Sequence, residues 1–273
     1  MRFKTIFLLF NAVLTISFAL ILFLPALFMS AGYFAAFLRS NWYIGLLFAA
    51  TLAVVNVYFF QNWRLFGLLE REDWGGVIDY LEHEIYGKRR VRAFYVRILL
   101  NTFLVASRTD RIGKLERFLS SDAPGLVARF SIQLGVPYLL SKDAEKGEKF
   151  FGRVLSMRRV PHKEWIRWNH AFCLMHQRQT EAAKAALRSV LTSHPEPVLE
   201  LLTLYMLDSY DRTDIGIQTA VAEGVKRLRG KYDEQRWKRI VERTRDNVEA
   251  LMLSKIIEDA SRWLFDAGPT GSL

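Results

Sequence analysis

The chain has 273 residues, of which 51% are hydrophobic and 14% aromatic, and a formal net charge of +10 at pH 7. That length and apolar content exclude a disordered tail or a disulfide mini-protein and leave one or two ordered domains. A single cysteine, Cys173, excludes an internal disulfide framework, a four-cysteine zinc ribbon and a CxxC redox pair.

Before residue 62 the only charged side chains are Arg2, Lys4 and Arg39, so the two parts of the chain face different solvents. Thr5 to Phe28 is a run of 24 uncharged residues. At about 1.5 Å rise per residue it exceeds the roughly 30 Å of a hydrocarbon core. Tyr43 to Phe60 gives 18 more. Residues Ser30 to Trp42 between them include Gly32, Arg39, Ser40 and Asn41, which allow a turn. The expectation is a transmembrane helical hairpin over residues 1–61, with spans at about 5–28 and 43–60. Trp42, Tyr43, Tyr58 and Trp63 fall where amphipathic rings favour the headgroup layer.

A signal peptide is the competing reading, but the apolar run is longer than a signal core of about 7 to 15 residues and no clean A-x-A site follows it. Arg2 and Lys4 flank one end of the hairpin and Arg64, Arg71, Lys88, Arg89 and Arg90 follow the other, whereas the far loop holds only Arg39. That distribution predicts cytoplasmic termini. Asn11 and Asn56 reach similar depth in an antiparallel hairpin, where their amides can bond each other. The absence of Asp, Glu, Lys, Arg and His from both runs argues against a proton relay or an ion path.

After Gln61 apolar residues recur at three and four spacing, as in Leu65, Leu68, Leu69 and then Val77, Ile78, Leu81 and Ile85. Hairpin turn signals for strands are missing, so the remainder reads as all-α. Polar breaks recur, and Asp73, Asp110, Asp143, Thr180 and Thr213 mark them at intervals of 37, 33, 37 and 33 residues. A period in the mid-thirties is the repeat length of two-helix solenoids.

Two windows carry a finer pattern. Leu134, Gly135 and Tyr138 are followed by Gly147, Phe151 and Val154. Ala171 and Leu174 are followed by Ala183, Leu187, Val190 and Pro195. These positions resemble the tetratricopeptide repeat, in which small residues let paired helices approach closely. Arg167 and His170 depart from the family's usual aromatic and Leu positions. The resemblance implies an α-solenoid of degenerate tetratricopeptide-like helix pairs over residues 62–231. It also implies recognition of a protein or peptide partner along a surface lined by the first helix of each pair. On polar character in the two windows, Ser131, Tyr138 and Asn169 are the expected partner-binding residues. Residues 232–273, with Trp237, Ile240, Val248, Leu251, Ile256, Ile257 and Trp263, read as capping helices and a frayed tail.

Catalytic signatures are missing: the chain has no GxxxxGK[ST], strand-associated GxGxxG, GxSxG or HExxH. His170, Cys173 and His176 lie at i, i+3, i+6 on one helix, so the outer pair cannot share a face and metal ligation is disfavoured. Glu82, His83 and Glu84 read as a solvated helix face. Lys88, Arg89, Arg90, Arg92 and Arg97, with Phe94 and Tyr95, form a basic stretch close enough to the membrane exit to meet anionic headgroups. A second stretch, Lys226 to Arg245, is interleaved with acids, which weakens a nucleic-acid reading. The expectation is a bacterial-type inner-membrane scaffold that binds proteins and needs no cofactor, metal or catalysis of its own. The alternative is a basic cytoplasmic face that binds anionic lipid or nucleic acid.

Overall fold

The computed structural model describes residues 3–28, 31–140, 143–210, 214–244 and 253–267. Among them there is no strand, and the chain is all-α. It divides into two compact units, Met1–Thr102 and Phe103–Leu273.

The first unit begins with α1 (Phe3–Phe28) and α2 (Ala31–Gln61). Within them, Thr5–Leu24 and Gly32–Gln61 are long and apolar enough to cross a membrane. Only 6% and 0% of their most apolar stretches are buried, so these are not core helices of the unit. The two run antiparallel, with Phe7 against Phe59 at 5.0 Å and Phe18 stacked on Phe48 at 3.8 Å between ring centroids. Between those contacts Asn56 Nδ2 donates to Asn11 Oδ1 at 2.9 Å, the bridge expected from the sequence. Each amide also donates to its own helix, Asn11 to the Phe7 carbonyl and Asn56 to the Leu52 carbonyl. A cross-helix bond of this kind contributes about 0.6 to 2 kcal/mol in lipid.

From Ala31 onward, the turn expected over Ser30 to Trp42 is reduced to a kink at Asn41. Ser30 lies outside the described residues, and from Ala31 onward the chain is helical, with its one interruption at Asn41 (φ −116°, ψ 19°). Residues 31–38 hold only apolar residues and one glycine, so nothing stops a helix before Asn41. There the side-chain Nδ2 bonds the Phe37 carbonyl and competes with the backbone ladder.

Helices α3 (Trp63–Glu70) and α4 (Trp74–Glu82) follow, and α4 runs into a π turn at His83–Gly87. The unit extends beyond the change of composition at Gln61 because α3 packs on both α1 and α2, with Trp63 on Phe7 and Phe66 on Phe59. Buried Asn62 fastens the start of α5 (Ala93–Val105): it accepts from Tyr95 Oη at 3.2 Å and donates to the Tyr58 carbonyl at 2.8 Å.

The second unit holds α6 (Thr109–Asp122), α7 (Pro124–Arg129), α8 (Ser131–Leu140), α9 (Ala144–Leu155), α10 (Lys163–His176), α11 (Thr180–Thr192), α12 (Pro197–Tyr210) and α13 (Ile215–Lys231). From α8 to α13 each helix packs on the next in sequence, and α8 also touches α10. Four of the five polar markers prove to stand at helix starts. Asp73 and Asp143 cap α4 and α9 by accepting from the backbone N–H of Gly76 and Lys146, and Asp214 caps α13 through Ile217. Asp110 and Thr180 open α6 and α11, while Thr213 lies outside the described residues.

Small residues set the spacing of these helices. A Cβ on Gly135 would stand 2.3 Å from Phe151 Cζ, and one on Gly147 would stand 2.7 Å from Cys173 Sγ and 3.1 Å from Tyr138 Cβ. Gly224 of α13, which no sequence pattern had singled out, meets Leu204 of α12 in the same way at 2.7 Å. Then come α14 (Glu234–Thr244), α15 (Ser254–Arg262) and a π turn at Trp263–Ala267. Trp237 is buried and donates to Ser261 Oγ at 2.9 Å, Trp263 donates to Asp208 of α12 at 3.1 Å, and α15 packs on α12. Val248, Leu251 and Arg245 lie outside the described residues, as does the tail beyond Ala267.

Candidate binding cavity

Helix α10 carries Trp165, Trp168, Phe172 and His176 at three and four spacing, so their rings form a ladder along one face. Trp165 meets Trp168 edge-on at 6.3 Å, Trp168 stacks on Phe172 at 5.7 Å, and Phe172 meets His176 at 4.6 Å. Beside this ladder is a cavity of about 180 Å³. Ile132, Val136, Leu139 and Leu140 of α8 form one wall, Trp168, Asn169 and Phe172 of α10 the other, and Leu253 and Ile256 close it. None of these lining residues is charged.

Two polar atoms at this wall have no partner. Asn169 is 2% exposed with Oδ1 unbonded, and Trp168 is fully buried with Nε1 unbonded. Leaving such a group unsatisfied costs about 1 to 3 kcal/mol, and neither atom has surface open to the cavity.

Of the three residues expected to bind a partner, only Asn169 lines this cavity. Ser131 is buried at the start of α8 and its hydroxyl donates to the Ala128 carbonyl at 3.1 Å. Tyr138 turns toward α6, where its hydroxyl donates to Glu116 Oε2 at 3.4 Å. Burial, and then the neighbouring Glu116 carboxylate, pushes the Tyr138 phenol above its usual value. Glu116 is itself buried and is held by Arg153 and by Ser120 Oγ.

Lys88, Arg89, Arg90, Arg92 and Arg97 are all exposed, but they are not a patch of free charge. Glu84, near the start of the π turn, is 2% exposed and takes ion pairs from Lys88 and Arg90. This corrects the solvated reading of Glu84: the acid is a buried counter-ion for two of the five cations. Burial pushes its carboxyl up, but Lys88 and Arg90 outweigh that and hold it below the usual value. Arg92 lies over the Tyr95 ring at 5.9 Å.

Among the described residues no group of three or more His, Cys, Asp or Glu could hold a metal ion. Cys173 is buried against Gly147, and burial, with a smaller contribution from Glu148, pushes its thiol up to about 12. The thiolate is the nucleophile, so iodoacetamide at pH 8 is expected to leave the folded chain unmodified and to alkylate Cys173 at the rate of unfolding. Mass spectrometry of timed samples with and without urea checks this. Burial lowers the His170 value, partly offset by Glu148, whose carboxylate is 3.8 Å away. The cavity's Trp168, Phe172, Leu253 and Ile256 were not named as binding residues from the sequence. The 165/168/172/176 aromatic spacing was the signal that could have found the first two.

A family model described as an uncharacterised Treponema protein matches residues 111–266. An uncharacterized protein of Treponema pallidum (strain Nichols) is 25% identical over 232 residues, covering 81% of this chain and 74% of that protein. No solved structure matches.

Proposed function

The chain belongs to the family described as an uncharacterised Treponema protein, and from its own geometry we propose a membrane-held scaffold that binds proteins and has no catalysis of its own. In this reading α1 and α2 anchor the chain as a two-span hairpin in a bacterial inner membrane, with both termini cytoplasmic. Helices α8 to α13 form a tetratricopeptide-like α-solenoid, and α14 and α15 cap its end. The anchor is supported by the unburied apolar faces of α1 and α2 and by their asparagine bridge. The solenoid is supported by sequential packing and by glycines at the close approaches.

The observation that carries the functional reading is the cavity between α8 and α10, which are the first helices of successive pairs. A tetratricopeptide-like array presents its partner-binding residues on those helices. Proximity labelling in native membranes, with the label fused at the C-terminus, tests the proposal. A reproducible set of cytoplasmic or envelope proteins, lost in the Asn169→Leu chain, is the expected result. Labelling confined to extracytoplasmic proteins would overturn the orientation, and background alone would overturn the scaffold.

A further inference from the structure

We propose that the first unit binds the anionic headgroups of phospholipids where α2 ends, through Arg64, Arg92 and Arg97. This rests on the reading of α1 and α2 as the membrane anchor.

The fold brings together what the sequence separates. Arg64 follows the end of α2 directly, whereas Arg92 and Arg97 come only after α3, α4 and the π turn. Yet Phe94 meets Tyr58, in the last turn of α2, at 6.3 Å, and Tyr95 Oη bonds Asn62 between α2 and α3. The start of α5 is thereby held beside the end of the apolar span Gly32–Gln61. Arg97 lies three positions after Phe94, so both stand on one exposed face of α5.

Charge makes the ligand an anion. Residues 58–69 and 85–102 hold six cations and no acid. Glu84, just before the second stretch, is taken up by Lys88 and Arg90. Among the described residues Arg64, Arg92 and Arg97 have no carboxylate partner, and all three are exposed. Arg64 lies over the Tyr80 ring at 5.6 Å and Arg92 over the Tyr95 ring at 5.9 Å, contacts that orient a guanidinium without neutralising it. A guanidinium bonds phosphate oxygens in pairs. At the end of a spanning helix the phosphate it meets is that of a lipid headgroup, and an anionic leaflet draws cations to itself. Tyr58 and Trp63 flank the same level and are residue types that settle in the headgroup layer.

The test places a benzophenone amino acid at Phe94 of the full chain, in vesicles of equal parts phosphatidylglycerol and phosphatidylcholine, and counts the lipid adducts by mass spectrometry. Phosphatidylglycerol adducts are expected to exceed phosphatidylcholine adducts by at least about fivefold at low salt, the factor that one cation near an anionic surface supplies. The ratio is expected to fall as salt rises. Arg64→Gln, Arg92→Gln and Arg97→Gln together should bring it close to one, and Arg97→Glu alone should lower it without touching the two stacked arginines. The same loss of charge in the second unit, by Lys226→Gln, Arg236→Gln and Arg239→Gln, should leave it unchanged. A parent ratio near one, or a ratio kept by the first triple variant, would overturn the inference. So would a ratio that inorganic phosphate collapses further than chloride at equal ionic strength, which would mark a site for free phosphate, or lipid adducts displaced by a short RNA. A chain that carbonate strips from the vesicles would overturn the anchor and this inference with it. A chain that stays in them with a ratio near one would overturn the headgroup site and spare the anchor.

Discussion

Replacing Gly135 with alanine lowers the stability of the second unit by about 1 to 3 kcal/mol, and replacing it with leucine keeps that unit from folding. Alanine is the better helix former by about 1 kcal/mol, so the intrinsic effect has the opposite sign and must be overcome. What overcomes it is the buried ring of Phe151, with Cζ and Cε1 at 2.3 and 2.6 Å from the added Cβ and Phe150 Cε1 at 3.4 Å. Phe151 is fully buried and cannot swing away. Gly113 in α6 is the internal control, because a Cβ there meets nothing within 4 Å, so Gly113→Ala should stabilise by up to about 1 kcal/mol. Urea unfolding followed by tryptophan fluorescence measures both. Gly135→Ala combined with Phe151→Leu should recover part of the loss, since the two positions share one contact. Equal stabilisation by Gly135→Ala and Gly113→Ala would show that α8 and α9 do not approach this closely.

Ile16→Arg combined with Leu47→Arg should release the chain from membranes, although the same changes on water-facing helices are nearly silent. Ile16 lies midway along α1 and is 61% exposed, and Leu47 on α2 is 69% exposed. In a water-soluble protein an exposed substitution of this kind changes stability by no more than about 0.5 kcal/mol. At the centre of a spanning helix an arginine costs about 2.5 to 3.5 kcal/mol. Ile16→Arg and Leu47→Arg together are therefore expected to move most of the chain into the supernatant on alkaline carbonate extraction. Ile215→Arg on α13, at an 81% exposed site, should leave it in the pellet. If the double variant stays in the membrane fraction as well as the parent, α1 and α2 are not the anchor.

What could be read from the sequence and what could not divide along the range of the interactions. The Asn11 to Asn56 bridge was legible because polar residues are scarce in an apolar run and an antiparallel hairpin fixes which depths coincide. The polar breaks at Asp73 and Asp143 were legible as boundaries, and that they cap helices is a local feature that needs only three residues of backbone. Ser131 and Asn169 look alike as polar residues in helical windows, yet the hydroxyl of one closes on its own backbone and the other is a buried residue in a cavity wall. That difference depends on the neighbouring helix. Glu116 and Arg153 lie 37 positions apart, so their pairing is set by how α6 and α9 come together and by no local rule. Glu84 was misread although its spacing puts it on the face of Val77 and Leu81, because its charge argued for solvent and the ion pairs from Lys88 and Arg90 that make its burial tolerable were not foreseen. The wall formed by Leu253 and Ile256 comes from a helix about 84 positions beyond Asn169, out of reach of any repeat pattern.

The most direct measurement places a photo-crosslinking amino acid at Leu140, a 66% exposed residue on the cavity wall, in the full chain within native membranes. The predicted result is a discrete protein adduct that disappears with Asn169→Leu. An adduct pattern unchanged by Asn169→Leu, or crosslinks to lipid alone, would contradict a scaffold that holds its partner between α8 and α10.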